Sequence, residues 1–307
     1  MLVGAHRAGT LTRIDGRTDA LVGTSPICRS PWGVAAGPEG RAAYVACEGE
    51  AVRVRLPDLT VTARYPLDGT GMGIAVAPDG GALYVGVHRG TVDHLQILAL
   101  PGGDSLKAIP IGKRPFGLTL ASDGRLYVPN HDSFSVTIID TARRVALRDI
   151  PVDVLQGGAY EKPHYAAVTP DANRLYLPFE GKILAEVVTA TGEVRRHPLA
   201  IQAHQHGIAI TPDGHHVLTV NNREGAHSLS LVRIPEAREI RRIPLPSAHE
   251  QVVLSPDGRK AYLSGGFPLG GGADVVTVVD LEAARVSAHL PVPGRPLGLA
   301  LGPAAMP

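Results

Sequence analysis

Short segments that alternate apolar and polar residues recur along the chain at nearly even intervals. GVAAGPEGRAAYVACE covers Gly33–Glu48, GIAVAPDGGALYVGVH covers Gly73–His88, and GLTLASDGRLYVPNH covers Gly117–His131. YAAVTPDANRLYLPFE (Tyr165–Glu180), GIAITPDGHHVLTVNN (Gly207–Asn222) and QVVLSPDGRKAYLSGG (Gln251–Gly266) repeat the pattern. Each unit sets two alternating segments around a Pro-Asp-Gly-like turn, which predicts a β-hairpin. The turn residues Pro38, Pro78, Ser122, Pro170, Pro212 and Pro256 are 40, 44, 48, 42 and 44 residues apart. A third alternating segment often ends in aspartate, as in SVTIID (Ser135–Asp140) and VVTVVD (Val275–Asp280), and a fourth resembles ALRDIPV (Ala146–Val152). Four short strands in each period of ~40–45 residues is the signature of a propeller blade. No helical periodicity competes with it.

The ends of the chain continue the pattern. Arg295–Pro303 (RPLGLALGP) reads as a first strand with nothing after it, and Leu2–Asp15 as a second and third strand with no first. The expected fold is therefore an all-β, seven-bladed propeller of four-stranded blades. Residues 1–307 would form one domain, closed by a blade shared between 1–27 and 295–307. Sharing a blade between the termini removes an exposed sheet edge.

Composition narrows the function classes. Gly and Pro number 36 and 26 of 307 residues, and the repeat uses them in turns and strand entries. The net charge of +1 disfavours a nucleic-acid binder. No long apolar run predicts a membrane span, and the first residues do not read as a signal peptide. With only Cys28 and Cys47, no multi-bridge scaffold is expected, Cys47 reads as a buried thiol, and a reducing, cytoplasmic setting follows. The expected partner is a small molecule, and the expected state is a monomer.

The repeat register predicts two rings of side chains on one face of the propeller. Six residues before each turn position stand Trp32, Met72, Phe116, His164, His206, Glu250 and, in the shared blade, Leu297. Near ten residues after it stand Glu48, His88, His131, Glu180, Asn222, Gly266 and, in the shared blade, His6. The chain has 13 His and 12 Glu, so fourteen random positions would carry about one His or Glu; these carry eight. A one-residue slip would turn each side chain to the other strand face.

His164, His206 and Glu250 fall on consecutive blades, and Leu297, Trp32, Met72 and Phe116 occupy the rest. Two histidines and a carboxylate can hold a divalent Zn, Mn, Fe, Cu or Mg ion and leave positions open for substrate. Glu180, His204 or His249 can support or replace a ligand. His131, His88 and His204 are candidate acid–base groups, with Glu180 assisting. Asn222, His6, Glu48 and Tyr160 complete the candidate substrate contacts with the apolar wall. A solvated polar rim and loop-supporting histidines are the competing readings. Two long loops, Val154–His164 and Gly265–Asp274, lie on the same face, and neither has the context of a nucleotide-binding loop.

LYVPNH (Leu126–His131), LYVGVH (Leu83–His88) and AYVACE (Ala43–Glu48) resemble the hairpins of the YVTN family of seven-bladed propellers. KPHYAAV (Lys162–Val168) and HQHGIAI (His204–Ile210) resemble the blade openings of streptogramin B lyase. That resemblance implies a channel-mouth His/Glu site using a divalent metal for elimination. KPHY (Lys162–Tyr165) followed by LYLPFE (Leu175–Glu180) is similar to 6-phosphogluconolactonase-like propellers. His164 stands at their Arg position and Tyr165 at their His position. The expected activity is a metal-dependent lyase acting on a partly apolar metabolite. Lactone or ester hydrolysis, metal-dependent rearrangement or oxidation, and a non-catalytic binding scaffold are the alternatives.

Overall fold

A computed structural model describes residues 1–90, 92–152, 162–179, 183–199, 205–267 and 272–302. Antiparallel sheets follow one another along the chain, each running outward from a short inner strand. The fold is an all-β propeller. Among the described residues, five sheets have four strands each. The first joins the chain ends, in the order Pro296–Ala300, Leu2–Ala5, Thr10–Ile14 and Leu21–Pro26. Leu2 pairs with Ala300 and Val3 with Leu299, so the last strand supplies the inner edge of the first sheet. The other four begin at Thr119–Leu120, Ala167–Val168, Gln205–Ile210 and Val252–Leu254.

The expected seven separate blades are corrected to these five and one seven-stranded sheet. That sheet runs from Val34–Ala36 to Ser105–Pro110, where two blades had been expected. Its centre is the 17-residue strand Thr60–Val76. The first half pairs with Glu48–Arg55, as in Ala51 with Tyr65, and the second half with Ala82–His88, as in Ile74 with Val85. Thr70 pairs with Glu48 on one side and His88 on the other. Gly69 and Gly71 flank that crossing. A Cβ at Gly69 would lie 2.5 Å from the His88 carbonyl oxygen, and one at Gly71 3.2 Å from that of Cys47. The missing side chains let the chain stay extended where a connection would otherwise turn.

The apolar side chains pack between neighbouring sheets. Val136, Ile138 and Ile150 of one sheet meet Leu175, Leu177 and Phe179 of the next. Val3, Ala5 and Ile14 of the first sheet close onto Tyr262, Val276 and Leu290 of the last. Turn aspartates serve the hairpins: Asp79 Oδ1 accepts from the Gly81 amide at 2.8 Å and Asp213 Oδ1 from that of His215 at 2.9 Å.

The cysteines differ from the expectation. Cys28 and Cys47 form a disulfide, with Cα atoms 6.2 Å apart. It ties the segment leaving the first sheet to the end of the strand Ala42–Ala46. The spacing of 19 residues concealed this contact, because the two meet only when successive sheets pack together.

Around the axis, inner segments approach backbone to backbone. A Cβ on Gly33 would sit 2.4 Å from the Met72 carbonyl oxygen, and one on Gly298 2.3 Å from that of Trp32. Between these segments lies a cavity of about 200 Å³. Seven stretches of chain line it: Trp32–Val34, Gly73–Ile74, Phe116–Thr119, Tyr165–Ala166, Ile208, Gln251 and Gly298–Leu299. Gly33→Ala should therefore lower stability by about 1–3 kcal/mol. Urea denaturation should show this as a lower midpoint with unchanged slope.

Candidate metal centre

His164, His206 and Glu250 converge from three successive sheets. His164 precedes the inner strand Ala167–Val168, His206 is the second residue of Gln205–Ile210, and Glu250 precedes Val252–Leu254. One potential ligand atom from each lies within 4.8 Å of the others, and all three side chains are buried. The His164 and His206 rings stack at 4.1 Å. Glu250 Oε1 lies 3.3 Å from His206 Nδ1 and accepts from the Tyr165 hydroxyl at 3.4 Å. Its other oxygen, Oε2, is buried with no hydrogen-bond partner among the described residues. Burial first, and then the neighbouring His206, His131, Lys162 and Arg114, hold the His164 pKa well below the usual imidazole range. The imidazole is therefore neutral near pH 7, the form that binds metals. A buried, incompletely partnered carboxylate near the neutral His164 imidazole and beside the His206 ring fits a divalent cation.

Rings continue on both sides of the triad. His131 lies 4.3 Å from His164, Phe116 4.6 Å from His164, and Phe267 4.7 Å from His206. Trp32 lies 5.7 Å from Phe116 and 4.6 Å from His6. The structure thus brings Trp32, Phe116, His6, His131, His164, His206 and Glu250 into one arc. Met72 and Leu297 are buried at their own strand starts.

His131 opens a one-turn 3-10 helix, His131–Ser133, after the strand Arg125–Asn130. Its Nδ1 lies 2.6 Å from Asp132 Oδ1. Lys162 Nζ donates to the same oxygen at 3.1 Å, and Arg114 Nε is 3.6 Å from Asp132 Oδ2. An aspartate acceptor selects the Nδ1–H tautomer and leaves Nε2 as the basic nitrogen.

Other predicted residues serve different ends. Asn222 clamps the backbone beside Glu250: its Nδ2 donates to the His249 carbonyl at 2.7 Å, and its Oδ1 accepts from the His249 amide at 2.9 Å. His249 is itself fixed, with Nδ1 donating to Ser247 O at 2.8 Å and Nε2 accepting from Thr277 Oγ1 at 2.7 Å. Glu48 pairs with Arg29 near the surface. His88 is bound by Asp93 at 2.8 Å and makes no ring contact with the triad. Glu180, His204 and Tyr160 lie outside the described residues, as does most of the Val154–His164 loop.

Four residues at the site carried no role in the sequence reading. Asp132 orients His131. Tyr165 lines the axial cavity, and burial, then Glu250, hold its pKa well above the ordinary phenol value. Arg114 and Arg295 lie over the Phe116 and Trp32 rings, each with its guanidinium carbon 5.9 Å from the ring centroid. The repeat did hold a signal for three cations. Arg114, Lys162 and Arg295 each stand two residues before a first-ring position, in RPF, KPH and RPL.

These features define the class: a β-propeller with a buried His–His–Glu centre at the start of its inner strands. The chain is similar in structure to a functionally unknown protein from Desulfotomaculum acetoxidans. The TM-score is 0.81 at 12% identity, covering 98% of each chain. It is also similar to Kuenenia stuttgartiensis hydrazine synthase, with a TM-score of 0.75 at 18% identity, covering 89% of this chain and 90% of that one. No family model and no curated protein sequence matches it.

Asp93 supplies a test of how the rim is held. Its carboxylate accepts from the Arg89 amide at 2.8 Å and the Arg114 amide at 2.7 Å as well as binding His88. Burial alone would raise its pKa, but these donors outweigh it and the net shift is downward. The folded state then binds fewer protons than the unfolded one. Its stabilisation is present above the unfolded carboxylate pKa of about 3.9 and is lost as the pH falls through the lower folded value. Asp93→Asn should cost about 1–3 kcal/mol at pH 7. In urea titrations at several pH values, the gap to the wild type should narrow below about pH 4.

Proposed function

We propose that the protein is a metal-dependent enzyme that acts on a small, partly apolar metabolite at the mouth of the central channel, by elimination. The observation that carries this reading is the convergence of His164, His206 and Glu250, with Glu250 Oε2 buried and lacking a hydrogen-bond partner among the described residues. When bound, a divalent cation supplies Lewis acidity toward a substrate carbonyl or carboxylate oxygen. The protein's own groups do the rest. Trp32 and Phe116 offer apolar faces to the substrate and exclude water. His131, oriented through Nδ1 by Asp132, would take a proton at Nε2 from the carbon next to the one that bears the leaving group. The C–H electron pair then forms the double bond as the bond to the leaving group breaks, and that group departs with its electron pair. Tyr165 holds Glu250 by donating to Oε1. Asn222 and His249 fix the backbone from which Glu250 projects.

The same proposal takes the seven-stranded sheet as two blades sharing the strand Thr60–Val76. Its two separately paired halves and the seven cavity-lining stretches support a ring of seven, in keeping with the resemblance to YVTN hairpins. The enzyme works as a monomer. No helix among the described residues is long and apolar enough to cross a membrane. The Cys28–Cys47 bridge favours an oxidising compartment over the cytoplasm expected from the cysteine count.

The test is elemental analysis of untagged protein beside His206→Ala. The wild type should carry one equivalent of a divalent metal and His206→Ala little. Adding the metal should raise the wild-type melting temperature, since a ligand at 100 times its Kd adds about 2.7 kcal/mol. Substoichiometric metal in both proteins, with no thermal shift, would overturn the assignment.

A further inference from the structure

The wall opposite the triad is apolar in the sequence reading, yet a cation covers each of its two large rings. Arg114 and Arg295 occupy equivalent repeat positions, before Pro115-Phe116 and Pro296-Leu297. Both have left-handed backbones, with φ of 55° and 65°. That shared conformation turns each side chain back over an aromatic ring of the site, Phe116 for Arg114 and Trp32 for Arg295. Lys162 is the third member of this collar.

The three cations are not equivalent. Arg114 and Lys162 converge on Asp132, which offsets their charge. Arg295 is half-buried, and no carboxylate lies within ion-pair distance among the described residues. Its Nε donates to the Gly266 carbonyl at 2.9 Å, and its backbone amide donates to Asp274 Oδ1 at 2.8 Å. These contacts fix the stem and leave the two Nη groups as donors. Burial lowers its pKa, and Glu250 attracts the guanidinium without pairing with it. Holding a partly desolvated cation without a counter-ion is costly, and an anion brought by a ligand relieves that cost.

We propose that Arg295 and Trp32 form an anion subsite, and that the small molecule bound at the channel mouth carries one carboxylate. The guanidinium presents a planar pair of donors matched to a carboxylate, and Trp32 gives an apolar face to the adjoining carbons. Arg7, the next cation toward Arg295, is exposed to water. Within the collar, then, one partly desolvated cation lacks a carboxylate, and this fits a monoanion better than a phosphate ester, which would call for several cations. This deepens the metal-enzyme reading by naming a substrate class, but the subsite is built from residues outside the triad. It therefore stands or falls separately.

Trp32 is the only tryptophan of the chain, so its fluorescence reports this subsite. The probes are benzoate and its neutral counterpart benzamide, titrated into chelator-treated, metal-free protein. Benzoate should give a saturable change, with benzamide at least tenfold weaker. Arg295→Met should weaken benzoate at least tenfold. Arg114→Met, whose charge is already engaged by Asp132, should change it less than threefold. If Arg295→Met does not fold, Arg295→Gln serves the same comparison. Equal binding of the two probes, absence of benzoate binding, full affinity in the Arg295 variant, or tighter binding of inorganic phosphate would each overturn the subsite. Metal content of the same variants separates the two readings. A wild type that carries no metal as purified, before any chelator, yet discriminates benzoate through Arg295 defeats the metal centre alone, and a protein purified with its metal yet indifferent to benzoate defeats the subsite alone.

Discussion

Inner strands around the axis approach so closely that there is no room for a Cβ between several of them. The Gly33, Gly207 and Gly298 positions meet neighbouring backbone atoms at distances that side chains do not tolerate. This crowding sets the geometry of the site. The residues one position earlier, at the strand starts, come from distant parts of the chain, yet the close approach puts them in contact. His164 and His206 are 42 residues apart in sequence, and their rings stack at 4.1 Å. Where the repeat departs from glycine, at Tyr165 and Gln251, the side chains line the axial cavity instead.

The crowded arrangement has an electrostatic consequence. Burial keeps His164 neutral and Tyr165 protonated, so Glu250 has a neutral imidazole and a phenol close by, and the Arg295 guanidinium attracts it without pairing. A buried carboxylate in such company needs hydrogen bonds or a cation. Tyr165 and His206 supply part of that at one oxygen and leave the other. The surrounding network is rigid where it matters: Asn222 binds the backbone before Glu250, and His249 is anchored through both ring nitrogens. Precision at the centre thus comes from hydrogen-bonded backbone, which holds its geometry better than a loop of free side chains.

Much of this was legible in the repeat. Register alone assigned Trp32, Phe116, His164, His206 and Glu250 to one ring, because strand alternation decides which face a residue takes. It could not say that Asn222 would serve Glu250 through the backbone, or that His88 would be bound by Asp93. Those roles depend on which neighbours fall within hydrogen-bond reach. Arg295 shows the boundary clearly. Its place in the repeat was visible, but its direction over Trp32 follows from a left-handed backbone and a bond to the Gly266 carbonyl of the adjacent sheet.

The fused sheet and the disulfide make the same point. Periodicity predicts hairpins, since turn residues and alternating faces are local properties. It does not say whether the link between two hairpins turns or stays extended, and Gly69 and Gly71 settle that only against the Cys47 and His88 backbone. Nor does it say that Cys28 meets Cys47, a contact made between one sheet and the next. By itself, then, the sequence determined the strands, their faces and the ring positions of the candidate ligands, all of which follow from a period of two. Tertiary structure alone decided how the sheets are divided, that the two cysteines bond, and that Arg295, unlike Arg114 and Lys162, has no carboxylate within ion-pair distance among the described residues. Those depend on distances between segments far apart in the chain, which packing around the axis sets.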